Sequence, residues 1–201
     1  MKIGPKYKIA RRLGAPVFEK TQTQKYAIRL ERKGIKRSMK PKSEFAIQLN
    51  EKQKARFVYA LSERQFSNYI KEALLKKGSS VTQTIYQFLE KRLDNTVYRL
   101  GLAKTRLAAR QMVTHGHIMV NGKRSSISSR RVKEGDLIEI RKESSTKPLF
   151  VDINDRVKEV TLPGWLQLDH AKMQATVTGA PHYTPTEQMF DLKAVVEFYS
   201  R

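Results

Sequence analysis

Positive charge is concentrated in the first three quarters of this chain, and it limits how the chain can fold by itself. Forty lysine and arginine residues face 19 aspartate and glutamate residues, a net charge of +21. Residues 1–50 carry a net +11, residues 51–100 carry +5, residues 101–150 carry +7, and the last 51 residues carry −2. Such an excess repels itself in a compact fold and attracts polyanions. The sequence therefore predicts nucleic acid as the first partner; the alternative is that the lysine-rich faces are merely solvated.

Missing residue types and patterns exclude several classes of protein. The chain has no cysteine, which excludes disulfide bonds, thiolate nucleophiles and cysteine-based zinc sites. No apolar run approaches the roughly 20 residues that a membrane span needs. The amino terminus also lacks the apolar segment of a signal peptide. We therefore expect an intracellular polyanion binder with no cofactor, no metal and no membrane contact.

The first 42 residues predict a basic arm. They show little hydrophobic periodicity and contain several Gly and Pro residues, a pattern typical of loop with short helical pieces. Their few apolar side chains do not easily offset the roughly 1 to 2 kcal/mol of backbone entropy lost per ordered residue. We expect RNA to order this arm. Its RNA-binding candidates are Arg11, Arg12, Lys33, Lys36, Arg37, Lys40 and Lys42.

Residues 43–91 predict a helical domain. Apolar residues recur at helical spacing from Leu49 to Lys77, and Gly78 then ends the helix. A second apolar stripe begins at Val81 after two serines that can cap it. These stripes are most simply a core.

Residues 92–143 predict a small α+β module, and the sequence places its elements in a clear order. The module holds a short helix ended by Gly101, a helix Arg106 to Thr114 capped by Thr105, a strand Ile118–Val120, a hairpin turn at Asn121-Gly122, a return through Lys123-Arg124, and a strand Leu137–Ile140.

The carboxy-terminal extension, residues 144–201, has a mixed pattern. It predicts a short helix over Val151–Glu159 and short strands over Gln174–Thr178 and Ala194–Tyr199. Because its end is apolar and slightly acidic, we expect the tail to pack back on the helical domain. The fold class that follows is α+β: a basic arm and helical domain plus a small helix-helix-strand module.

Basic residues of the module meet at one predicted surface. Arg106 and Arg110 are four residues apart and project together from one helix, whose amino terminus also favours phosphate. The remaining candidates follow the helix: His115, His117, Asn121, Lys123 and Arg124. Such a patch suits structured RNA, which is recognised mainly through shape and phosphate. The alternative is an ordinary amphipathic helix with solvated arginines.

Several motifs closely resemble the family of small-subunit ribosomal protein four. The module motifs are residues 92–101, Thr105-Arg106, residues 108–111 and residues 115–123. Outside the module, the similar segments are residues 4–6, 11–14, 48–54 and 63–66, Pro163-Gly164-Trp165-Leu166, and the ending residues 196–201. The resemblance therefore covers nearly the whole chain.

The resemblance implies a structural protein that binds small-subunit ribosomal RNA directly. It implies that the chain nucleates assembly of the subunit body and supports translational accuracy through small-subunit protein five. It also allows contact with messenger RNA at the channel through which the messenger enters the subunit. The implied location is the cytoplasmic ribosome, with an organellar ribosome as the alternative. The resemblance adds Lys54, Arg92, Arg99 and Thr105 to the RNA-binding candidates.

Two departures from the family pattern limit this inference. Many members have an amino-terminal cysteine cluster for zinc, which this chain lacks. Many also carry a Pro-Gly-Gln-His-Gly-like loop, where this chain has Gly34-Ile35-Lys36-Arg37-Ser38. Contacts made by that loop do not carry over.

Other functions are possible on the same module. Arg92-Leu93-Asp94 is similar to the catalytic motif of pseudouridine synthases, but the following Thr-Ser-Gly segment and the long catalytic domain are missing. Asp94 is better interpreted as a helix cap or an arginine partner, so we expect no enzyme. His115 and His117 could bind metal, but no nearby cysteine or acidic cluster supports it. An RNA chaperone or ribosome rescue factor is the alternative function.

Overall fold

The structure is a computed structural model that describes residues 3–33, 43–76 and 78–201. It confirms the α+β class, with helices and a five-stranded antiparallel sheet. The chain forms two compact units, one of residues 1–85 with 183–201 and one of residues 86–182. Among the described residues, no helix is long and apolar enough to cross a membrane.

The amino-terminal arm contains more regular structure than the sequence predicts. Helix α1 is Lys6–Leu13, a 3₁₀ turn follows at Glu19–Thr21, and α2 is Gln24–Lys33. A small buried cluster joins the arm to the next helix through Ala10, Leu13, Val17, Phe18 and Phe57. The arm has few apolar side chains of its own. Phe57, about 40 positions further along the chain, adds an apolar surface on which the arm can bury them.

The single long helix predicted from Leu49 to Lys77 is wrong. The structure has α3 at Glu44–Val58 and α4 at Glu63–Leu75. Between them Ala60 has a positive φ of 50°, which a continuing helix does not allow. Ser62 then caps α4, its hydroxyl accepting a hydrogen bond from Gln65 N at 3.3 Å. Helix α5 follows at Val81–Glu90.

The module forms largely as its sequence predicts. Helix α6 is Leu93–Arg99, α7 is Arg106–Thr114, β1 is Ile118–Val120, β2 is Lys123–Ser125 and β3 is Leu137–Ile140. Asn121 and Gly122 both have positive φ, as a tight turn between twisted antiparallel strands requires. The cap of α7 and the hairpin prediction are confirmed.

The predicted extension 144–201 is divided between the two units. Helix α8, Lys142–Ser145, crosses the predicted boundary, and the first part of the extension then forms a 3₁₀ turn at Pro148–Phe150, α9 at Ile153–Glu159, β4 at Leu166–Asp169 and β5 at Gln174–Val177. Strand β5 pairs with β3, which sets the sheet order β2-β1-β3-β5-β4. Trp165 and Leu166 are buried in the core of the module. Residues 144–182 therefore complete the module, which sequence spacing does not reveal.

The strand predicted at Ala194–Tyr199 is wrong, because this segment is helix α10, Leu192–Tyr199. Leu192 and Val195 recur at helical spacing and are fully buried. Helix α10 contacts α3, where Gln48 donates to Glu197 at 3.3 Å. At the same contact, the Phe198 and Phe45 rings lie 5.5 Å apart. The segment contains valine, which favours strands, but it forms a helix because one helical face is buried against α3.

Candidate nucleic-acid interface

Helix α7 presents the predicted arginine row. Thr105 caps the helix, and its hydroxyl accepts a hydrogen bond from Ala108 N at 3.1 Å, so Thr105 has a structural role. Ala109, Met112 and Val113 face the core, and Arg106 and Arg110 project together beside this buried face at partly exposed positions.

Buried polar groups hold both arginines of α7. Arg110 Nε donates to Asp94 Oδ2 at 2.8 Å, and Arg106 Nε donates to Asn95 Oδ1 at 2.8 Å. The guanidinium of Arg106 also lies 4.3 Å from the ring centroid of Tyr98. The arginines are therefore fixed by the protein, unlike the freely solvated arginines of the alternative interpretation.

A third arginine, Arg99, is also held by a buried partner. Arg99 donates from Nε and Nη2 to the two carboxylate oxygens of Glu90, each at 2.8 Å. This two-point geometry is the strong form of an arginine–carboxylate pair. The Glu90 side chain is 1% exposed and that of Arg99 is 30% exposed. The guanidinium thus borders the surface while its partner is buried.

Arg92 does not have the position expected of an RNA contact. Its side chain is 1% exposed, and its Nε and Nη2 donate to the two oxygens of Asp94 at 3.0 and 2.8 Å. A guanidinium this deeply buried is a structural group of the core edge. The backbone of Arg92 also forms an isolated β-bridge with Arg131, a contact that sequence spacing does not show.

The turn at residues 115–117 brings further basic groups together. Gly116 has a φ of 72°, and its backbone lies against the guanidinium of Arg124, which donates to His115 O at 3.3 Å. His115 and Arg124 are exposed, as is Lys123. Arg124 of the return strand therefore lies against the turn.

His117 lies among several basic residues. Its Nδ1 lies 3.0 Å from Ser144 Oγ, and its ring meets Phe150 edge-on at 5.7 Å. Burial lowers the pKa of His117, and nearby positive charges lower it further. Those charges belong to Lys147, His115, Arg124 and Arg141.

Two of these cations, Arg141 and Lys147, are absent from the sequence-predicted site. Strand pairing brings Arg141 there: Ile118 pairs with Ile140, and Arg141 N donates to His117 O at 2.9 Å. The only signal in the sequence is a basic residue directly after the strand Leu137–Ile140. Its register with β1 could not be obtained from spacing.

Asn121 has a structural role in the hairpin. Its amide donates to Asp136 Oδ1 at 2.8 Å and accepts from Leu137 N at 2.8 Å. These bonds join the β1–β2 turn to the start of β3. Both ends of the Asn121 amide are therefore occupied by protein partners.

The candidates outside the module lie in the other unit or beyond the described residues. Arg11 and Arg12 are exposed in the last turn of α1. Lys54 pairs with Glu51 at 2.6 Å. Lys33 ends α2, and the remaining candidates of the arm lie outside the described residues: Lys36, Arg37, Lys40 and Lys42. Among the residues that the structure describes, no group of three or more His, Cys, Asp or Glu is placed to hold a metal ion.

Comparison with known proteins shows which families the amino-terminal region and the module are similar to. The family model of the ribosomal protein S4/S9 N-terminal domain matches residues 1–90, and that of the S4 domain matches residues 91–138. Relatives named small ribosomal subunit protein uS4 match over nearly their full length. That of Persephonella marina is 41% identical over 98% of both chains, that of Chlorobium limicola 39% over 96%, and that of Akkermansia muciniphila 37% over 98%.

A module of this fold with an arginine row and a basic turn, matched by the S4 domain, defines an RNA-binding protein. The sequence identity to these relatives over nearly the whole chain then identifies the family within this class of RNA-binding proteins. The chain belongs to the family of small ribosomal subunit protein uS4.

Membership in this family answers the question of enzyme activity. The family is one of structural ribosomal proteins, so the chain is not an enzyme. The geometry of the motif similar to that of pseudouridine synthases agrees, since Asp94 is 2% exposed and its two oxygens accept hydrogen bonds from Arg92. A carboxylate enclosed in this way is a partner of arginines.

Proposed function

We propose that this chain is a structural ribosomal protein that binds small-subunit ribosomal RNA directly through the module surface. The proposal rests on the partly exposed arginines of α6 and α7, whose side chains are held by buried partners. Arginine recognises phosphate in a planar, two-point geometry, and A-form RNA is recognised largely through backbone and shape. The exposed Lys123 and Arg124 and the cations around His117 extend the same surface.

The salt dependence of binding tests this surface. Each phosphate contact contributes about 0.7 to 0.9 to the slope of log affinity against log salt. Replacing both Arg106 and Arg110 by Ala should therefore reduce that slope by roughly 1.4 to 1.8. The control is Lys158→Ala with Lys172→Ala, which removes the same charge from exposed positions of the same unit. An arginine variant that folds and keeps the full slope would contradict the proposal.

We also propose that the bound chain helps to nucleate assembly of the subunit body. In this proposal RNA stabilises the part of the basic arm that the protein buries least, helix α2, and the module anchors the chain. Omitting the protein from reconstitution of small subunits should leave particles that lack later-binding proteins. Adding the arginine double variant instead of the wild type should restore assembly only partly. Complete particles formed without the protein would refute this role.

Support of translational accuracy forms the third part of the proposal. The last 51 residues carry a net −2, unlike the rest of the chain, which suits a protein neighbour better than RNA. Small-subunit protein five is the neighbour we propose, near the channel through which messenger RNA enters. Reversing acidic residues of this region, by Glu187→Lys with Asp169→Lys, should raise misreading of a reporter codon while rRNA affinity stays the same or increases.

Sedimentation distinguishes this function from that of an RNA chaperone or rescue factor. A structural protein should co-migrate with mature small subunits, whereas a rescue factor should bind stalled large subunits. The match of residues 1–90 to a ribosomal amino-terminal domain favours the structural role.

A further inference from the structure

Two buried acids lie directly beneath the basic surface of the module. Glu90 and Asp94 are 1% and 2% exposed, and each binds a guanidinium that borders the surface, that of Arg99 and that of Arg110. Burying a carboxylate is costly unless it is paired and hydrogen-bonded. A surface that needed only positive charge would not place acids there.

The acids belong to one continuous network. Asn95 Nδ2 donates to Glu90 Oε2 at 3.0 Å, and Asn95 Oδ1 accepts from Arg106 at 2.8 Å. The backbone N of Asn95 donates to Asp94 Oδ1 at 2.9 Å, which joins the two acids through one residue. Every arginine of the network is therefore fixed relative to the others.

Charge alone does not explain this arrangement. Arg92, Arg99, Arg106 and Arg110 outnumber the two acids, so the cluster stays cationic, but each acid weakens its attraction for phosphate. What the acids provide is geometry. An arginine side chain has several freely rotating bonds, and fixing it before binding removes part of the entropy cost that binding would otherwise carry.

We propose that Glu90, Asp94, Asn95 and Tyr98 are positioning residues that hold three arginines as a preformed site for neighbouring phosphates of an RNA strand. The arginines are Arg99, Arg106 and Arg110. The proposal rests on the proposed function, because the ligand is the backbone of the ribosomal RNA. It adds that affinity depends on the fixed geometry of the guanidinium groups more than on their number.

The substitution Asp94→Asn distinguishes positioning from simple electrostatics by the direction in which RNA affinity changes. It removes one negative charge beside the site, so a purely electrostatic surface would bind RNA more tightly. If Asp94 positions Arg110, the affinity should instead fall about threefold to tenfold, the factor that corresponds to one released arginine. The measurement is equilibrium binding of the full-length protein to naked small-subunit rRNA transcribed in vitro. Circular dichroism and thermal melting of the same samples report whether the variant is folded.

Glu143→Gln is the matched control. It also removes one negative charge that pairs with an arginine, since Glu143 accepts from Arg141 Nε at 2.7 Å. Glu143 is 70% exposed, however, and holds no buried network. Its variant should bind as tightly as the wild type or more tightly.

A second pair of variants keeps the test valid if Asp94→Asn does not fold. Tyr98→Leu removes the ring beneath Arg106 without any change in charge, and Tyr98→Phe keeps the ring. We expect Leu to weaken RNA binding and Phe to restore it at equal thermal stability. A folded Asp94→Asn variant with equal or tighter binding overturns the proposal. If that variant is unfolded, equal affinities of the Leu and Phe variants overturn it instead. Failure of the wild type to bind this RNA would refute the proposed function itself.

Discussion

Gly116 lets the guanidinium of Arg124 lie directly against the backbone of the turn. A Cβ atom at this position would collide with that guanidinium, and the φ of 72° is itself unfavourable for other residues. Gly122 has nearly the same φ, 71°, but no atom within 4 Å of the position of its Cβ. Comparing substitutions at the two glycines therefore separates the effect of backbone strain from the effect of displacing Arg124.

We predict that Gly116→Ala and Gly122→Ala both lower the free energy of unfolding, by about 1 to 2 kcal/mol from backbone strain. Only Gly116→Ala should also weaken binding to small-subunit rRNA, because only there must Arg124 move. Urea unfolding and equilibrium RNA binding measure the two effects. Equal losses of RNA affinity in both variants would show that the position of Arg124 is unimportant.

His117 makes stability depend on pH. Its pKa is below the ordinary imidazole value of 6.5 because of burial and then the charges of Lys147, His115, Arg124 and Arg141. The unfolded chain therefore binds more protons than the folded chain as the pH falls below about 6.5. The full contribution to stability is present above this value and is lost progressively below it.

The variant His117→Gln should remove the pH-dependent contribution of His117 to stability. Between pH 7.5 and pH 5.5, the free energy of unfolding of the wild type should fall further than that of the variant. Denaturant titrations at a series of pH values measure both, and other titrating groups cancel in the difference. Parallel profiles would mean that His117 has the same pKa in the folded and unfolded chains.

At the scale of elements, α10 shows how an acidic tail contributes to the helical unit. Tyr199 donates from its hydroxyl to Glu63 at 2.9 Å, and the ammonium of Lys52 lies 4.5 Å from the ring centroid of Phe198. Burial and the nearby carboxylate of Glu63 raise the pKa of Tyr199, so its hydroxyl stays protonated and continues to donate. Helix α10 therefore couples the end of the chain to α3 and α4.

We predict that Leu192→Ala lowers the free energy of unfolding by about 2 to 5 kcal/mol, because Leu192 is fully buried. The control Leu75→Ala removes the same group at a position that is 82% exposed and should change stability by less than about 0.5 kcal/mol. The salt slope of RNA binding should stay the same in both. A slope reduced as in the double arginine variant would place α10 in the RNA interface instead.

At the scale of the whole molecule, the excess of positive charge is distributed over parts that differ in burial. Helix α1 buries Ala10 and Leu13, whereas none of residues 24–32 of α2 is buried. An isolated helix of this length is marginal in water. The protein thus holds α1, and we expect α2 to gain stability from a partner.

We predict that trypsin cleaves the free protein after Arg29 and Arg32 and much more slowly after Arg11 and Arg12. Small-subunit rRNA should suppress cleavage in α2, because phosphate neutralises its charges and releases counterions. Large-subunit rRNA at the same concentration is the control. Equal cleavage of the two helices in the free protein would mean that α1 is no better held than α2.

The sequence by itself determined the local elements of the module, the sign and location of the charge, and the family. The cap at Thr105, the turn at Asn121-Gly122 and the arginine spacing of α7 depend on interactions within a few residues, so they can be read from the chain. The tertiary structure alone decided which polar residues are buried. Arg92 is buried although its partner Asp94 is only two residues away, and Asn121 is occupied by partners distant in sequence, while β1–β3 pairing brings Arg141 to His117. The helical state of α10 likewise depends on a partner surface about 150 residues earlier, which no local pattern contains.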